Sequence, residues 1–307
     1  MRAVAFAYHD MGIAGLEGLR RNGFEIAAIF SHDDDPGENC WFGSVKEWGR
    51  SAGISVFCPD DPNAPREVAR IASLQPKALF SFYYRKMFGR EILGLAPTKA
   101  FNLHGSLLPT YRGRAPVNWV LVNGEERTGV TLHLMTEKPD AGGIVGQRVV
   151  AIDETDTART LYGKLCREAA VLLDEVLPLI REDRETLTPQ DLSRGSYYGG
   201  RKPGDGRIDW NWPSRRIYNL IRAVTDPYPG AFGFGPGGTK LVIWWAVPAD
   251  DAARETVPGE VRIRGDGILI GAGEGTLLLK DVEIGGVRLR NGALRDYFKD
   301  KEGIILR

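Results

Sequence analysis

The chain has 307 residues, enough for two domains, and its hydrophobic fraction of 43% and charged fraction of 26% are ordinary for a globular protein. Lys and Arg together number 40, as do Asp and Glu, so the zero net charge gives no general attraction to nucleic acid. Three cysteines without a C-x-x-C pair and four histidines without H-E-x-x-H spacing predict neither a disulfide framework nor a metal site.

The amino-terminal half repeats the order strand then helix. Apolar runs predict strands at 3–8, 25–30, 55–58 and 78–81, and helical periodicity predicts helices at 14–22, 44–52 and 65–73. This order is typical of a Rossmann-like α/β fold, a doubly wound, mainly parallel sheet covered by helices. The turn after the first strand lacks G-x-G-x-x-G spacing, so no nicotinamide dinucleotide site is predicted.

A long periodic helix is predicted over 157–181, with Pro178 expected to kink or end it. The residues that follow are polar and rich in Gly and Pro, which is typical of a linker. We therefore predict a catalytic domain over 1–190 and a linker over 191–207.

Residues 208–307 are predicted to form a smaller β-rich domain. A short helix places Ile217, Leu220, Ile221 and Val224 on one face. Short strands separated by Gly and Asp are then predicted at 240–246, 259–264, 267–272 and 276–283. Such a series is typical of a small open β-barrel of the OB-like kind.

The sequence has no basic start followed by a long apolar segment, and no run of 18 apolar residues. These are the marks of secretion and of membrane insertion. We expect a cytoplasmic protein that does not contact a membrane.

Asn102 and His104 lie two residues apart in an extended stretch and so project to the same side. An amide N–H donor beside a group that titrates near neutral pH is able to polarise a carbonyl and move a proton at one centre. The alternative from these two residues alone is that Asn102 caps a turn and His104 is an ordinary loop histidine.

A wider pattern favours the catalytic interpretation. The stretch Asn-x-His-x-Ser-Leu-Leu-Pro over 102–109, followed by Arg-Gly-Arg-Ala-Pro over 112–116, resembles the signature of the 10-formyltetrahydrofolate-dependent formyltransferases. Asp140, in Lys-Pro-Asp-Ala-Gly, matches the third catalytic residue of that family. The resemblance implies that Asn102 donates to the formyl oxygen, that His104 relays the proton, and that Asp140 holds the imidazole ring. Without it, Asp140 would be an ordinary turn residue.

The resemblance also implies the folate contacts. The pteridine is expected on backbone groups after the fourth strand, on the loop before Asp140 and on the side chain of Arg114. The residues concerned are Lys86, Met87, Phe88, Arg114, Thr136, Glu137, Lys138, Pro139 and Asp140. The alternatives are a helix start at 86–88 with Met87 and Phe88 in the core, and solvated loop charges at Arg112 and Arg114.

Within the family, the sequence is most similar to the branch that formylates UDP-4-amino-4-deoxy-L-arabinose for lipid A modification and lipopolysaccharide biosynthesis. The resemblance implies a small-molecule nucleotide sugar as acceptor and no nucleic acid partner. It rests on residues 6–12, 31–38, 80–85, 115–125 and 223–231. The bifunctional members continue into an NAD-dependent decarboxylase domain, which we expect this chain to lack.

Two alternative acceptors stay open: another nucleotide-linked amino sugar, or methionyl-tRNA. A non-enzymatic folate-binding protein with the same fold would have lost one of the three catalytic groups, and all three are present. The zero net charge disfavours tRNA as the acceptor, because a protein binds tRNA through a positively charged surface. Tyr111 and the run 82–85 are candidates for sugar or uracil contacts, and Arg201 and Lys202 for the diphosphate. The alternative for Phe82 and Tyr84 is that they pack in the core. The alternative for Arg201 and Lys202 is that they are solvated charges of a linker.

Overall fold

The computed structural model describes residues 1–33, 39–96, 98–249, 257–265 and 267–307. Residues 35–38, part of the family resemblance, lie outside that set. The chain forms two compact units, which we treat separately. The first unit comprises Met1–Pro116, Arg127–Ile152 and Tyr162–Gly199, and the second comprises Val117–Glu126, Asp153–Leu161 and Gly200–Arg307.

The strands and helices follow one another in the predicted order. The strands are β1 Arg2–Ala7, β2 Glu25–Phe30, β3 Val56–Phe57, β4 Ala78–Phe82, β5 Ala100–His104, β6 Arg112–Gly113, β7 Arg127–Leu134, β8 Ile144–Ala151, β9 Tyr197–Tyr198, β10 Ala231–Phe234, β11 Lys240–Ala249, β12 Val261–Arg264, β13 Gly267–Gly271, β14 Thr276–Ile284 and β15 Val287–Arg290. The helices are α1 His9–Arg21, α2 Val45–Ser51, α3 Pro65–Ser73, α4 Arg90–Leu93, α5 Pro116–Val122, α6 Ala158–Arg181, α7 Ser214–Val224 and α8 Asn291–Phe298.

The first unit is built on a seven-stranded sheet in the order β3-β2-β1-β4-β5-β7-β8. The pairs from β3 to β5 are parallel, whereas β5–β7 and β7–β8 are antiparallel. The predicted doubly wound, mainly parallel sheet is confirmed. The chain runs from β1 outward to β3 and then returns to β4 on the other side of β1. The gap between the ends of β1 and β4 is therefore the topological switch point, where ligands bind in open α/β sheets.

The central strands are continuous apolar runs because helices cover both sheet faces. In β1 the residues from Ala3 to Ala7 have no exposed surface. The Phe6 ring stacks on Phe30 at 5.1 Å and lies 4.4 Å from Phe88. This packing joins the carboxyl ends of β1 and β2 to the segment that follows β4.

The structure corrects three local predictions. Helix α1 begins at His9, five residues before its predicted start. Gly12 lets its first turn lie against β1, since a β-carbon there would be 3.1 Å from the Ala7 carbonyl carbon. Helix α6 continues to Arg181 and does not end at Pro178. Residues 86–88 do not start a helix, since α4 begins at Arg90.

The second unit contains an antiparallel sheet in the order β10-β11-β14-β13-β12, with β15 paired to β14. The predicted β-rich carboxyl-terminal unit is confirmed. The face of α7 carrying Ile217, Leu220, Ile221 and Val224 is buried, as its spacing predicts. Within the described part of the chain, no helix is both long and apolar enough to cross a bilayer.

Candidate active site

Three residues predicted to be catalytic lie together at one edge of the first unit. Asn102 and His104 share a face of β5, and Asp140 lies in the turn between β7 and β8 with a φ of +49°, which Asp tolerates. Oδ1 of Asp140 is 3.4 Å from Nδ2 of Asn102 and 3.6 Å from Nδ1 of His104. The arrangement is the one the catalytic interpretation requires, and the individual roles stay predictions.

The Asp140 carboxylate is held as an anion in a nearly buried position. Its Oδ2 accepts a hydrogen bond from the Gly113 N–H at 2.8 Å. Burial alone would raise the pKa of this carboxyl, but the positive charge of protonated His104 and the Gly113 N–H outweigh burial and hold the pKa well below its ordinary value. Asp140 is therefore a fixed negative charge throughout the neutral pH range.

The His104 ring has one nitrogen engaged and one facing Asp140. Nε2 lies 2.8 Å from the Tyr111 carbonyl oxygen, which only accepts, so Nε2 carries a proton. The 3.6 Å between Nδ1 and Asp140 exceeds hydrogen-bonding reach. Nδ1 is therefore the ring atom able to take and return a proton beside a permanent negative charge.

His133, which the sequence gave no reason to select, belongs to the same cluster. It is 2% exposed and stands opposite Asn102 in the antiparallel β5–β7 register. Its Nδ1 donates to the Leu134 carbonyl at 2.9 Å, so Nε2 of the neutral ring accepts from Nδ2 of Asn102 at 3.1 Å. The same Nε2 lies 3.5 Å from Oδ1 of Asp140. Only the strand pairing, which the sequence does not reveal, identifies this residue.

The two loops predicted to bind folate are tied to each other. Glu137 pairs with Arg90 at 2.6 Å, which joins the 136–140 loop to the residues that follow 86–88. Thr136 Oγ1 donates to the Lys138 carbonyl at 2.9 Å and shapes the loop. Among the candidates, the Phe88 side chain is in the core, while Met87 is 54% exposed and its carbonyl accepts from Asn63. A role for 86–88 through the backbone remains compatible with this placement.

The other predicted contacts differ in exposure. Phe82 is fully buried, as the core alternative expects. Tyr84 stacks on His32 at 4.3 Å, and Tyr111 stacks on Tyr198 at 5.0 Å. In the second unit, the Arg201 guanidinium lies 4.5 Å from the Trp119 ring centre. Lys202 is exposed in its own loop, and Arg114 is exposed as well.

An aromatic cluster surrounds the switch point. His9 follows β1 and Tyr83 follows β4, each with a positive φ, at +68° and +61°. Their rings are 5.5 Å apart, and His9 also contacts Trp41 at 4.7 Å, Phe42 at 3.6 Å and Tyr162 at 4.7 Å. Two bulky residues in the left-handed region at adjacent strand ends are typical of a functional site.

His9 is neutral in this cluster. Burial, reinforced by the charge of Arg85, lowers the pKa of His9 to about 3. Its Nδ1 is buried and has no hydrogen-bond partner among the described residues. The Arg85 guanidinium lies 4.6 Å from the centre of the neighbouring Tyr8 ring. The switch point thus combines flat aromatic surfaces with a nearby cation.

Comparison with known protein families gives two matches that together span most of the chain. A family model described as Formyl transferase matches residues 41–177. A second, described as Formyl transferase, C-terminal domain, matches residues 201–293.

Solved structures with the same fold include sugar-modifying enzymes. The structure of WlaRD, a sugar 3N-formyl transferase with dTDP and 5-N-formyl-THF, has a TM-score of 0.71 at 20% identity over 94% of this chain and 98% of its own. An N-formyltransferase from Helicobacter canadensis, with folinic acid and dTDP-3-aminofucose, has a TM-score of 0.67 at 20% identity over 91% and 98%. HypX from Aquifex aeolicus with tetrahydrofolic acid gives 0.65 at 18% identity over 98% of this chain and 48% of HypX, so the chain spans about half of HypX.

Proposed function

The chain belongs to the formyl transferase family, and we propose that it transfers a formyl group from 10-formyltetrahydrofolate to the 4-amino group of UDP-4-amino-4-deoxy-L-arabinose. The observation that carries the reaction is the convergence of Asn102, His104 and Asp140 on one point. The observation that favours a nucleotide-sugar acceptor is the aromatic cluster at the switch point.

The residues present fit a bound formyl donor. The catalytic cluster lies at the end of the 136–140 loop, and the Arg90–Glu137 pair ties this loop to the residues after 86–88. When bound, the folate supplies the formyl carbon and a nitrogen that leaves with a proton. The remaining chemistry is positioning, charge stabilisation and proton transfer, which the side chains described above are able to provide.

Each catalytic group has a role that its geometry supports. Asn102 presents an amide N–H toward the point where Asp140 and His104 meet, which suits donation to a developing oxyanion. His104 Nδ1 takes the proton of the attacking amine and returns it to the leaving nitrogen. Asp140 stays ionised and stabilises the imidazolium formed between these steps.

The acceptor side is supported by chemistry and by the structural neighbours. Aromatic rings stack on nucleobases, and guanidinium groups pair with phosphates. Tyr83, which is partly exposed, supplies a ring close to Arg85 at the position where α/β sheets bind ligands. Two structural neighbours are described with dTDP or dTDP-3-aminofucose, so a nucleoside diphosphate sugar is the acceptor class we propose.

A panel of acceptors tests this proposal. The full chain is incubated with 10-formyltetrahydrofolate and, in parallel, with UDP-4-amino-4-deoxy-L-arabinose, dTDP-linked 3- and 4-amino sugars and methionyl-tRNA, and the gain of one formyl mass is measured. We expect the UDP sugar to be formylated with the highest kcat/KM. Preference for a dTDP sugar would contradict the assigned sugar only, whereas formylation of methionyl-tRNA alone would contradict the acceptor class.

A further inference from the structure

Arg112 is a buried cation without a visible counter-ion. Arg112 is 9% exposed. Its Nε is buried and has no hydrogen-bond partner among the described residues. Among the described residues, no hydrogen bond or ion pair to the Arg112 guanidinium is seen. Arg114, two residues further on, is exposed. The interpretation of both arginines as solvated loop charges therefore fits Arg114 and fails for Arg112.

The residues on either side of Arg112 bind the catalytic cluster through their backbone. The preceding Tyr111 offers its carbonyl to His104 Nε2, and the following Gly113 donates its N–H to Asp140. Arg112 itself donates its backbone N–H to the Ser196 carbonyl at 3.0 Å, within the β6–β9 pair. Arg112 is thus fixed in the segment that positions the reacting groups.

The acidic group that contacts this segment, Asp140, already has other partners. Asp140 accepts from the Gly113 N–H and from the Asn102 amide, and it faces His104 Nδ1 at 3.6 Å. A buried charge without a partner destabilises the fold, and native proteins keep such a charge chiefly where it has a function. A guanidinium is the side chain best suited to bind phosphate or carboxylate oxygens in pairs.

We propose that Arg112 binds an anionic group of a substrate beside the catalytic cluster. This inference rests on the proposed function, which brings two anionic molecules to the site. The shared ligand chemistry is a phosphate or carboxylate oxygen pair: the diphosphate of the acceptor or the glutamate carboxylates of the folate. Arg112 supplies the counter-charge in either case, and the bound anion completes the pairing that the protein alone does not provide.

Thermal unfolding and binding of Arg112→Met separate these sources. Without ligand, we expect the variant to unfold at a temperature roughly 2 °C or more above wild type, because a buried unpaired charge has been removed. With UDP and with 5-formyltetrahydrofolate as separate probes, we expect the Kd of one to rise at least about tenfold. A higher Kd for UDP alone would show that Arg112 binds the diphosphate of the acceptor. A higher Kd for the folate alone would show that Arg112 binds a carboxylate of the donor.

The control variant is Arg66→Met, which removes an arginine with a side chain 82% exposed and should change neither measurement. If Arg112→Met folds, wild-type affinity for both probes, or an unfolding temperature below that of wild type without ligand, would overturn the inference. If Arg112→Met does not fold, Arg112→Lys replaces it: the charge without the paired donors should weaken the same probe, and unchanged binding overturns the inference. A wild-type chain that binds neither probe contradicts the proposed function as well, which distinguishes the two failures.

Discussion

Nδ2 of Asn102 lies 3.1 Å from Nε2 of His133, across the antiparallel pair β5–β7. Because His133 Nδ1 is bound to the Leu134 carbonyl, its Nε2 is left as an acceptor for one amide N–H of Asn102. The second N–H then points toward Asp140 Oδ1, 3.4 Å away. His133 therefore fixes the orientation of the Asn102 carboxamide, and the N–H directed at Asp140 is the one that we propose turns to the formyl oxygen when substrate binds.

Replacing His133 should impair the chemical step more than substrate binding. Loss of an oriented oxyanion donor raises the barrier by about 3–4 kcal/mol at most, so we expect His133→Leu to lower kcat roughly 10- to 100-fold. The KM for the folate should change little, because His133 is 2% exposed and has no free surface for a ligand. Steady-state kinetics with both substrates varied measures this split.

His133→Gln is the matched variant, since a carboxamide oxygen is able to accept the same N–H. We expect Gln to recover part of the kcat lost in His133→Leu. Equal losses in the two variants, or a loss confined to KM, would argue for a merely structural role.

His104→Ala should abolish turnover while the donor still binds. Removing a general acid–base group lowers rates by about 10²- to 10⁴-fold, and both ring nitrogens of His133, the other histidine of the cluster, are already hydrogen-bonded. Calorimetric titration with 5-formyltetrahydrofolate should give a Kd close to that of wild type. Turnover at the wild-type rate would remove His104 from the mechanism.

Asp140→Asn should both lower kcat and move the pH–rate profile to lower pH. The pKa of Asp140 is held well below its ordinary value, so at neutral pH the wild type always offers His104 a negative counter-charge, which the amide does not. Asp60→Asn, at an exposed position in the same unit, is the control and should leave the profile unchanged. A uniform drop in rate with no displacement of the profile would mean that Asp140 only positions the ring.

The effect of an added β-carbon on stability is expected to differ between Gly15 in α1 and Gly163 in α6. A β-carbon at Gly15 would lie 2.3 Å from the Phe82 ring, so Gly15→Ala should lower the free energy of unfolding by about 1–3 kcal/mol despite the better helix propensity of Ala. At Gly163 in α6 the nearest atom to such a carbon is 3.9 Å away, and Gly163→Ala should raise stability by about 0.5–1 kcal/mol. Urea unfolding measures both, and equal signs would contradict the packing argument.

The sequence predicts the elements whose pattern is local. Strand β2 and helix α3 have the predicted bounds, because a continuous apolar run defines the strand and Pro65 at the first helical position defines the helix start without tertiary context. The start of α1 is missed because Gly12 and Gly15 disfavour a helix locally and are present to let it approach the sheet.

The candidate site likewise contains residues that local sequence patterns predict and residues that they do not. The grouping of Asn102 and His104 follows from the period of a strand, and Asp140 is found only through the family resemblance. His133 and the burial of Arg112 depend on long-range pairings, β5 with β7 and β6 with β9, that leave no local mark. Short polar segments such as 196–198 look like a linker until the pairing is known.

His9 gives the final prediction, on the pH dependence of stability. The folded pKa of His9 is lowered from 6.5 to about 3, so between these values the unfolded chain binds a proton that the folded chain does not. Stability contributed by His9 is therefore complete above pH 6.5 and is lost as the pH falls toward 3. His9→Asn, which tolerates the φ of +68°, should flatten the free energy of unfolding against pH in this window by up to about 1.4 kcal/mol per pH unit. Urea unfolding of both proteins at pH 7, 6, 5 and 4 measures the slope, and parallel curves for wild type and variant would show that folding does not lower the pKa of His9.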